Sequence, residues 1–171
     1  NNSYDLGSGN HLQLEHNDCG AIYAMDIEVD NVLGSDYVAR NWYGIVEGKV
    51  MDYGEDSAYA GNSCSVTSIS NPDNVTFIPG YNTLIIGEDT SKHENNMIWA
   101  YDMVTGEMTR IMTVHDEAET TSPYWYPNLN GNSYMTAVSQ HAFDNTGFFG
   151  VLGPFPDIPS EVFDTPVSEG E

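Results

Sequence analysis

Short strand-like segments that recur between turn residues constrain the fold of this 171-residue chain more than any other feature. They are rich in β-branched and aromatic residues, and clusters of Gly, Pro, Asn and Asp separate them. No stretch shows a helical period of useful length. The segments are Gly20–Val29, Asp36–Val46, Val75–Ile78, Thr83–Gly87, Asn96–Asp102, Glu107–Val114, Tyr124–Tyr126 and Ser133–Ser139. They predict an all-β fold of antiparallel strands, which could be a sandwich, a barrel or propeller blades.

The spacing of the central segments favours propeller blades. Four predicted strands follow one another between Asn71 and Val114, in roughly the 40–45 residues that one four-stranded blade requires. At that size the chain holds at most about four blades, so we expect a partial ring. Another chain, or an N-terminal part of the same protein, would complete it. We divide the sequence into an irregular segment (1–18), the blades (19–150) and an acidic, Pro-rich tail (151–171).

The tail shows no period of a strand or a helix, and alone it would be a flexible extension. Four of its apolar side chains could instead anchor it in a groove of the fold or of another chain. These are Phe155, Ile158, Val162 and Phe163.

The charge of the chain narrows the classes of partner. Four Lys and Arg residues stand against 26 Asp and Glu residues, which gives a formal net charge of −22. Such a chain cannot neutralise a phosphate backbone, so nucleic acid and anionic membrane surfaces are excluded as partners. No run approaches the length of apolar residues that a membrane span needs. The acidic residues could form a solvated surface, and some could also converge on a hard cation such as Ca²⁺.

Cys19 and Cys64 are the only two cysteines. In an exported protein they could form one disulfide, whereas in a cytosolic protein they would be buried thiols. Their spacing does not decide between the two, because a disulfide requires a specific geometry.

A series of short motifs in a fixed order resembles the C-terminal part of the PhoX-type bacterial alkaline phosphatases, a family of exported β-propeller proteins. The motifs are Asn71-Pro72-Asp73-Asn74, Leu84–Asp89, Ile98–Asp102, Thr105–Arg110, Glu119-Thr120-Thr121 and Ser139-Gln140-His141. The resemblance spans about Cys19 to Ala142. It departs from the family pattern at Ala142, where the family has a proline after the Gln-His pair.

This resemblance implies a six-bladed propeller that holds calcium and iron ions, hydrolyses phosphate esters and is secreted or periplasmic. The N-terminal blades, which carry some of the family's metal ligands, are not in this sequence. We therefore expect a portion or subunit of a metal-dependent phosphoesterase. The alternative is a non-catalytic, calcium-stabilised propeller piece that assembles with a partner chain.

Four residues are candidate metal ligands. Asp73 and Asn74 offer hard oxygen donors at the start of a strand, although an Asx-turn would explain them equally well. Glu88 ends a strand, and because neighbouring side chains point to opposite faces, we expect it rather than Asp89 to face a site. The resemblance adds Glu119 as a bridging ligand.

Glu119, His141 and Arg110 are the candidate catalytic residues. The imidazole of His141 could donate to phosphate or bind a metal. Arg110 could contact phosphate, or it could pair with carboxylates in so acidic a chain. His93 lies in a polar loop, where a histidine is usually exposed. Trp42, Trp99 and Trp125 fit blade packing better than ligand stacking.

Overall fold

The computed structural model describes residues 16–30 and 35–156, and it confirms an all-β fold of antiparallel sheets. Within these residues nine strands follow one another, with one 3-10 turn (Phe143–Asn145) before the last. They are β1 (Ala21–Asp30), β2 (Ser35–Glu47), β3 (Pro72–Ile78), β4 (Thr83–Glu88), β5 (Asn95–Asp102), β6 (Met108–Asp116), β7 (Glu119–Leu129), β8 (Asn132–Ala142) and β9 (Thr146–Pro156). No helix in the described part of the chain has the length and apolarity needed to cross a membrane.

The chain divides into two compact units, with the boundary between Asn71 and Pro72. This boundary lies inside the segment 19–150 that the sequence treats as one set of blades. In the first unit, β1 and β2 form a two-stranded antiparallel sheet. Its apolar side chains are largely exposed: Ile27 is 68% exposed and Tyr37 is 70% exposed.

A disulfide between Cys19 and Cys64 holds the strand-free segment that follows β2. Both cysteines are fully buried, and Val50 forms an isolated bridge with Cys64. The disulfide closes a loop with a sequence separation of 45 residues. In the chain-entropy model, closure of such a loop contributes about 4 kcal/mol. Gly48 lies so close to the backbone of Cys19 and Ile69 that no larger residue fits there.

The second unit begins with a four-stranded sheet in the order β3-β4-β5-β6. The apolar run of β4 predicts burial on both faces, and Leu84, Ile85 and Ile86 are indeed buried. The turn between β5 and β6 closes on Asp102, whose carboxylate accepts hydrogen bonds from the backbone N–H groups of Thr105 and Val104. These two bonds lower the pKa of Asp102.

A three-stranded sheet in the order β7-β8-β9 completes the second unit. Asn130 and Gly131 form the β7–β8 turn, where both residues have the positive φ that a tight hairpin requires. Strand β7 packs against β3 and β4 of the other sheet. The core is a cluster of Ile78, Ile85, Ile98, Met135 and Ala137. Trp125 packs against this cluster and Trp99 is buried, as expected, whereas Trp42 on β2 is 44% exposed.

Strand β9 is the main difference from the sequence expectation. It contains residues 151–156, which the sequence assigns to the tail, and Phe155 stacks on Trp125 with ring centroids 5.6 Å apart. The other proposed tail anchors, Ile158, Val162 and Phe163, lie outside the described residues.

Candidate functional site

At one end of the second unit, where several strands begin or end, lies an open cleft of about 380 Å³, which we call the acidic cleft. In an antiparallel sheet, the end of one strand and the start of the next lie at the same end of the sheet. The ends of β4 and β6 therefore lie beside the starts of β5 and β7, and β8 ends there too. The residues that line the cleft are Asp89, Thr90, Ser91, His93, Glu94, Asn96, Asp116, Glu117, Glu119 and His141.

The cleft has a strongly negative lining. Five of its ten lining residues are carboxylates, and none of the four Lys and Arg residues, all of which lie in the described ranges, is among them. Two lining residues, Glu117 and His141, adopt positive φ values of 62° and 58°. Such left-handed conformations are uncommon for residues with a side chain.

Glu88 does not line the cleft but lies behind it, fully buried. Its Oε1 accepts a hydrogen bond from the Trp99 indole N–H at 2.7 Å, and its Oε2 accepts one from the Met97 backbone N–H at 2.9 Å. The Nδ1 atom of His93 lies 3.0 Å from the same Oε2. We call these four residues the Glu88 network. Because both carboxylate oxygens are already engaged, Glu88 acts as a structural acceptor.

His93 is therefore a buried residue and not an exposed loop histidine. Its side chain has no exposed surface, and it contributes to the wall of the cleft from its position beside Glu88. The sequence pattern could not reveal this, because the pairing of His93 with Glu88 depends on how the β4–β5 loop folds back.

Asn96 fixes the loop and the turn that border the cleft. Its side-chain oxygen accepts a hydrogen bond from the Thr90 N–H at 2.9 Å, and its amide nitrogen donates to the Ala118 carbonyl at 2.7 Å. One buried amide thus joins the β4–β5 loop to the β6–β7 turn. Both segments carry carboxylates of the cleft, so their spacing depends on Asn96.

Thr120 fastens β7 to the end of β4. The backbone N–H of Glu88 donates to its hydroxyl at 2.6 Å, and that hydroxyl lies 3.0 Å from the Met97 carbonyl. Gly87 makes this close approach possible. A Cβ atom at position 87 would lie 2.8 Å from the Thr120 carbonyl oxygen and 2.9 Å from Asn74 Oδ1.

Asp73 and Asn74 lie at the start of β3, as the sequence predicts. The Asn74 amide nitrogen donates to Asp73 at 2.9 Å, and its Oδ1 is buried without a hydrogen-bond partner in the structure. This contact between neighbouring side chains is not the Asx-turn that the sequence left open. Asp73 is near enough to Glu119 to influence its protonation.

Glu119 is a largely buried carboxylate of the cleft that lies close to other charged side chains. Its side chain is only 15% exposed, and this burial, followed by the negative charge of Asp89, raises its pKa. Asp73 raises it further, whereas His141 lowers it. The His141 Nε2 atom lies 3.8 Å from Glu119 Oε2 and 2.8 Å from the Gln140 amide nitrogen.

Arg110, the third candidate catalytic residue, lies elsewhere. It is on the exposed part of β6, where its guanidinium is 3.8 Å from the Met97 sulfur. The structure therefore brings Asp73, Glu119 and His141 together, and it places Glu88 behind them and Arg110 apart from them.

Four further carboxylates line the cleft that the sequence pattern does not single out: Asp89, Glu94, Asp116 and Glu117. At the end of β4, the strand pattern favours Glu88 over Asp89. A signal was present nevertheless. In an antiparallel meander, the end of β4 and the end of β6 must lie at the same edge, so acids at both ends are brought close together.

The donor chemistry of the cleft suits a hard cation. Carboxylate and amide oxygens are the ligands that Ca²⁺ prefers. Both cysteines of the chain are in the disulfide, so no thiolate is available to a softer metal. Within the described residues, however, no three acidic, His or Cys side chains already converge as a metal-binding group. A cation would therefore require exposed side chains, such as Asp89 and Glu94, to change rotamer.

Comparison with known protein families, curated proteins and solved structures finds no match for this chain.

Proposed function

We propose that the acidic cleft binds a hard divalent cation, with Ca²⁺ as the expected ion, and that this chain is a cation-stabilised all-β module of an exported protein. The observation that carries the proposal is the crowding of negative charge around Glu119, whose pKa is raised by burial and by Asp89 and Asp73. A bound cation would relieve this repulsion, because it stabilises the ionised form of every nearby carboxylate.

Two further features support the proposal. Buried Glu88, Asn96 and Thr120 hold the surrounding loops in place, so a cation would require carboxylate side chains, and not the loops, to rearrange. The buried disulfide fits an oxidising compartment, where Ca²⁺ is abundant. A propeller completed by further blades remains part of this proposal, and the four-stranded sheet β3–β6 has the size of one blade.

Calcium titration with matched variants tests the proposal. We expect Ca²⁺ to raise the melting temperature of the wild-type chain, with a gain of about 2.7 kcal/mol when its concentration is 100 times the dissociation constant. Glu119→Gln should lose most of this gain. Glu107→Gln removes the same charge from an exposed turn outside the cleft and should keep it.

Equal stabilisation of the two variants, or the same effect from NaCl at matched ionic strength, would show that the acidic residues are only a solvated surface. Salt screens all exposed charges alike, whereas a site responds to one ion at low concentration.

Phosphate ester hydrolysis is the second candidate function, and one observation favours it. Glu119 and His141, two of the three candidate catalytic residues, lie 3.8 Å apart on the wall of the same cleft. Bound cations would supply the positive charge that a phosphate group needs there. Glu119 would help to hold them, and His141 would donate a hydrogen bond to a phosphate oxygen. Arg110 has no part in this arrangement.

A phosphatase assay with p-nitrophenyl phosphate tests this candidate. Activity should require added Ca²⁺, disappear with a chelator, and fall at least about 100-fold in His141→Ala. His16→Ala, which removes an exposed histidine from the first unit, is the control. A chain that binds Ca²⁺ but hydrolyses nothing supports the module and contradicts the phosphoesterase.

A further inference from the structure

Asp73 is the extra residue of a β-bulge at the start of β3. In the register of β3 and β4, Pro72 pairs with Glu88, and the next pair is Asn74 with Gly87. Asp73 therefore has no residue opposite it on β4. In a regular strand the side chains of neighbouring residues point to opposite faces, but a bulge breaks this alternation and re-aims a side chain. Here the bulge allows two neighbouring side chains to meet, with Asn74 Nδ2 2.9 Å from Asp73 Oδ2.

The side-chain amide of Asn74 has one orientation that fits its surroundings. Its nitrogen faces the Asp73 carboxylate, and it also lies 3.4 Å from the Thr120 carbonyl oxygen and 3.4 Å from Thr121 Oγ1. A carboxylate and a carbonyl oxygen only accept hydrogen bonds, so the group that faces them must be the donor. Asn74 therefore links the carboxylate of Asp73 to the start of β7, the strand that begins with Glu119.

This orientation leaves the oxygen of the same amide without a partner. Asn74 Oδ1 is buried, and no described residue donates a hydrogen bond to it. It lies beside Gly87, where a Cβ atom would be 2.9 Å away. A buried oxygen without a hydrogen bond destabilises a fold, so its presence requires an explanation. Because Ca²⁺ binds to oxygen atoms, the amide in this orientation also offers a cation no exposed ligand atom.

We propose that Asn74 is a positioning residue: it holds the carboxylate of Asp73 beside Glu119, so that Asp73 becomes a further ligand of the cation in the acidic cleft. The role of Asp73 as a ligand rests on the function proposed above. The buried Oδ1 then has a reason, because the amide nitrogen faces Asp73 only when the oxygen faces Gly87. The affinity of a Ca²⁺ site depends on how many carboxylates it has and how rigidly they are held.

The electrostatics of Glu119 agree with this placement. Burial raises the pKa of Glu119 most, and the negative charges of Asp89 and Asp73 raise it further. Asp73 exerts this influence although its side chain is exposed and does not line the cleft. A carboxylate held beside the wall of the cleft can turn towards a cation that binds there.

Asn74→Asp distinguishes a positioning residue from a ligand, because the two roles predict opposite results. The substitution adds a carboxylate, but it replaces the donor with an acceptor that faces the carboxylate of Asp73. We expect the Ca²⁺ dissociation constant of the full chain, measured by isothermal titration calorimetry, to rise by about tenfold or more. An unchanged or lower dissociation constant would show that position 74 supplies a ligand, and would overturn the proposal.

A double-mutant cycle separates positioning from a general effect on the fold. Asn74→Ala and Asp73→Asn should each weaken Ca²⁺ binding by about tenfold. The double variant should bind no more weakly than Asp73→Asn alone, because position 74 then has no carboxylate to hold. Asn132→Ala removes the same amide at the other end of β8 from the cleft and should bind like the wild type. If Asn74→Ala weakens binding by the same factor with and without Asp73, Asn74 acts only through the fold and the proposal is wrong.

NMR titration of the side-chain carboxyl groups in the calcium-free chain separates this inference from the proposed function. Asn74→Ala should lower the pKa of Glu119 to nearly the value found in Asp73→Asn, because the charge of Asp73 is no longer held nearby. If the wild type binds no Ca²⁺ but shows this change, the cation site and the ligand role of Asp73 fail while the positioning role of Asn74 is supported. If Asn74→Ala leaves the pKa of Glu119 unchanged, Asn74 does not position Asp73, whether or not the chain binds Ca²⁺.

Discussion

The two sheets of the second unit differ in how far the side chains of their strands are buried. In the four-stranded sheet, β4 and β5 are inner strands whose side chains are buried, and they enclose the Glu88 network. In the three-stranded sheet, β9 is an outer strand on which Phe148 and Phe149 are largely exposed. In the first sheet, the Glu88 carboxylate is fully buried, and both of its oxygens accept hydrogen bonds. The second sheet instead leaves apolar side chains of its outer strand exposed.

Removal of the carboxylate from the Glu88 network should lower the free energy of unfolding more than any other substitution considered below. Glu88→Ala leaves the Trp99 indole N–H, the Met97 N–H and His93 without their acceptor inside the sheet. Loss of one partner of a buried charged network costs about 3–5 kcal/mol. Chemical denaturation should therefore show a loss of about 4 kcal/mol for Glu88→Ala.

Glu107→Ala removes an exposed carboxylate and is the control, with an expected change within about 0.5 kcal/mol. A small effect of Glu88→Ala would indicate that water replaces the carboxylate and that the network is not closed.

Truncation of an inner apolar residue should have the next largest effect. Ile98 has no exposed surface and belongs to the core cluster, so Ile98→Ala creates a cavity and should cost about 3 kcal/mol. Val151→Ala on β9 removes a side chain that is 60% exposed and should cost less than about 0.5 kcal/mol. Chemical denaturation of the two variants provides this comparison. Similar losses at the two positions would mean that β9 is covered within the chain.

Gly87→Ala tests the contact through which the two sheets meet. The added methyl group would lie within 3.0 Å of the Thr120 carbonyl oxygen and Asn74 Oδ1, so β4 and β7 must separate slightly. Overpacking of this kind costs typically 1–3 kcal/mol, and we expect about 2 kcal/mol by denaturation. Gly54→Ala is the control, since its added methyl group meets nothing within 4 Å. Equal stability of the two variants would show that the sheets tolerate separation at this contact.

The sequence predicts the strands well because their signal is local. The alternation of β1, the apolar run of β4 and the turn at Val104–Gly106 each identify an element without reference to the rest of the chain. Strand β9 escaped prediction because its glycines and prolines, among them Gly153 and Pro154, are typical of turns and tails. Its pairing with β8 provides the order that its own residues do not indicate.

The candidate site could be predicted only in part, for a related reason. Asp73, Glu119 and His141 lie at strand ends, and strand ends can be located from local signals. The partners of Glu88 cannot, because the β4–β5 loop folds His93 back onto it and the pairing of β5 with β4 places Trp99 beside it. The sequence therefore indicates an acidic edge, but it does not distinguish the buried acceptor Glu88 from the exposed Asp89 beside it.

Substitution of Glu119 in the cleft should change the free energy of unfolding least. The sign of this change depends on pH. Because the folded chain raises the pKa of Glu119 above its ordinary value of 4.5, the folded state binds more protons than the unfolded state in that range. Without Ca²⁺, the stability contributed by this group is therefore present below the ordinary value and is lost as pH rises through the raised pKa. Glu119→Gln should stabilise the calcium-free chain at pH 7, by less than about 1 kcal/mol, and should have little effect below pH 4.

Asp102→Asn should behave in the opposite way, because the pKa of Asp102 is lowered and its stabilisation is present at neutral pH and lost in acid. Denaturation midpoints of the two variants between pH 3 and pH 7 provide the measurement. If Glu119→Gln is less stable than the wild type at pH 7 without Ca²⁺, the carboxylates around Glu119 do not repel it, and the physical reason for a cation in the cleft is lost. Added Ca²⁺ should reverse the order of stability, because only the wild type retains the ligand.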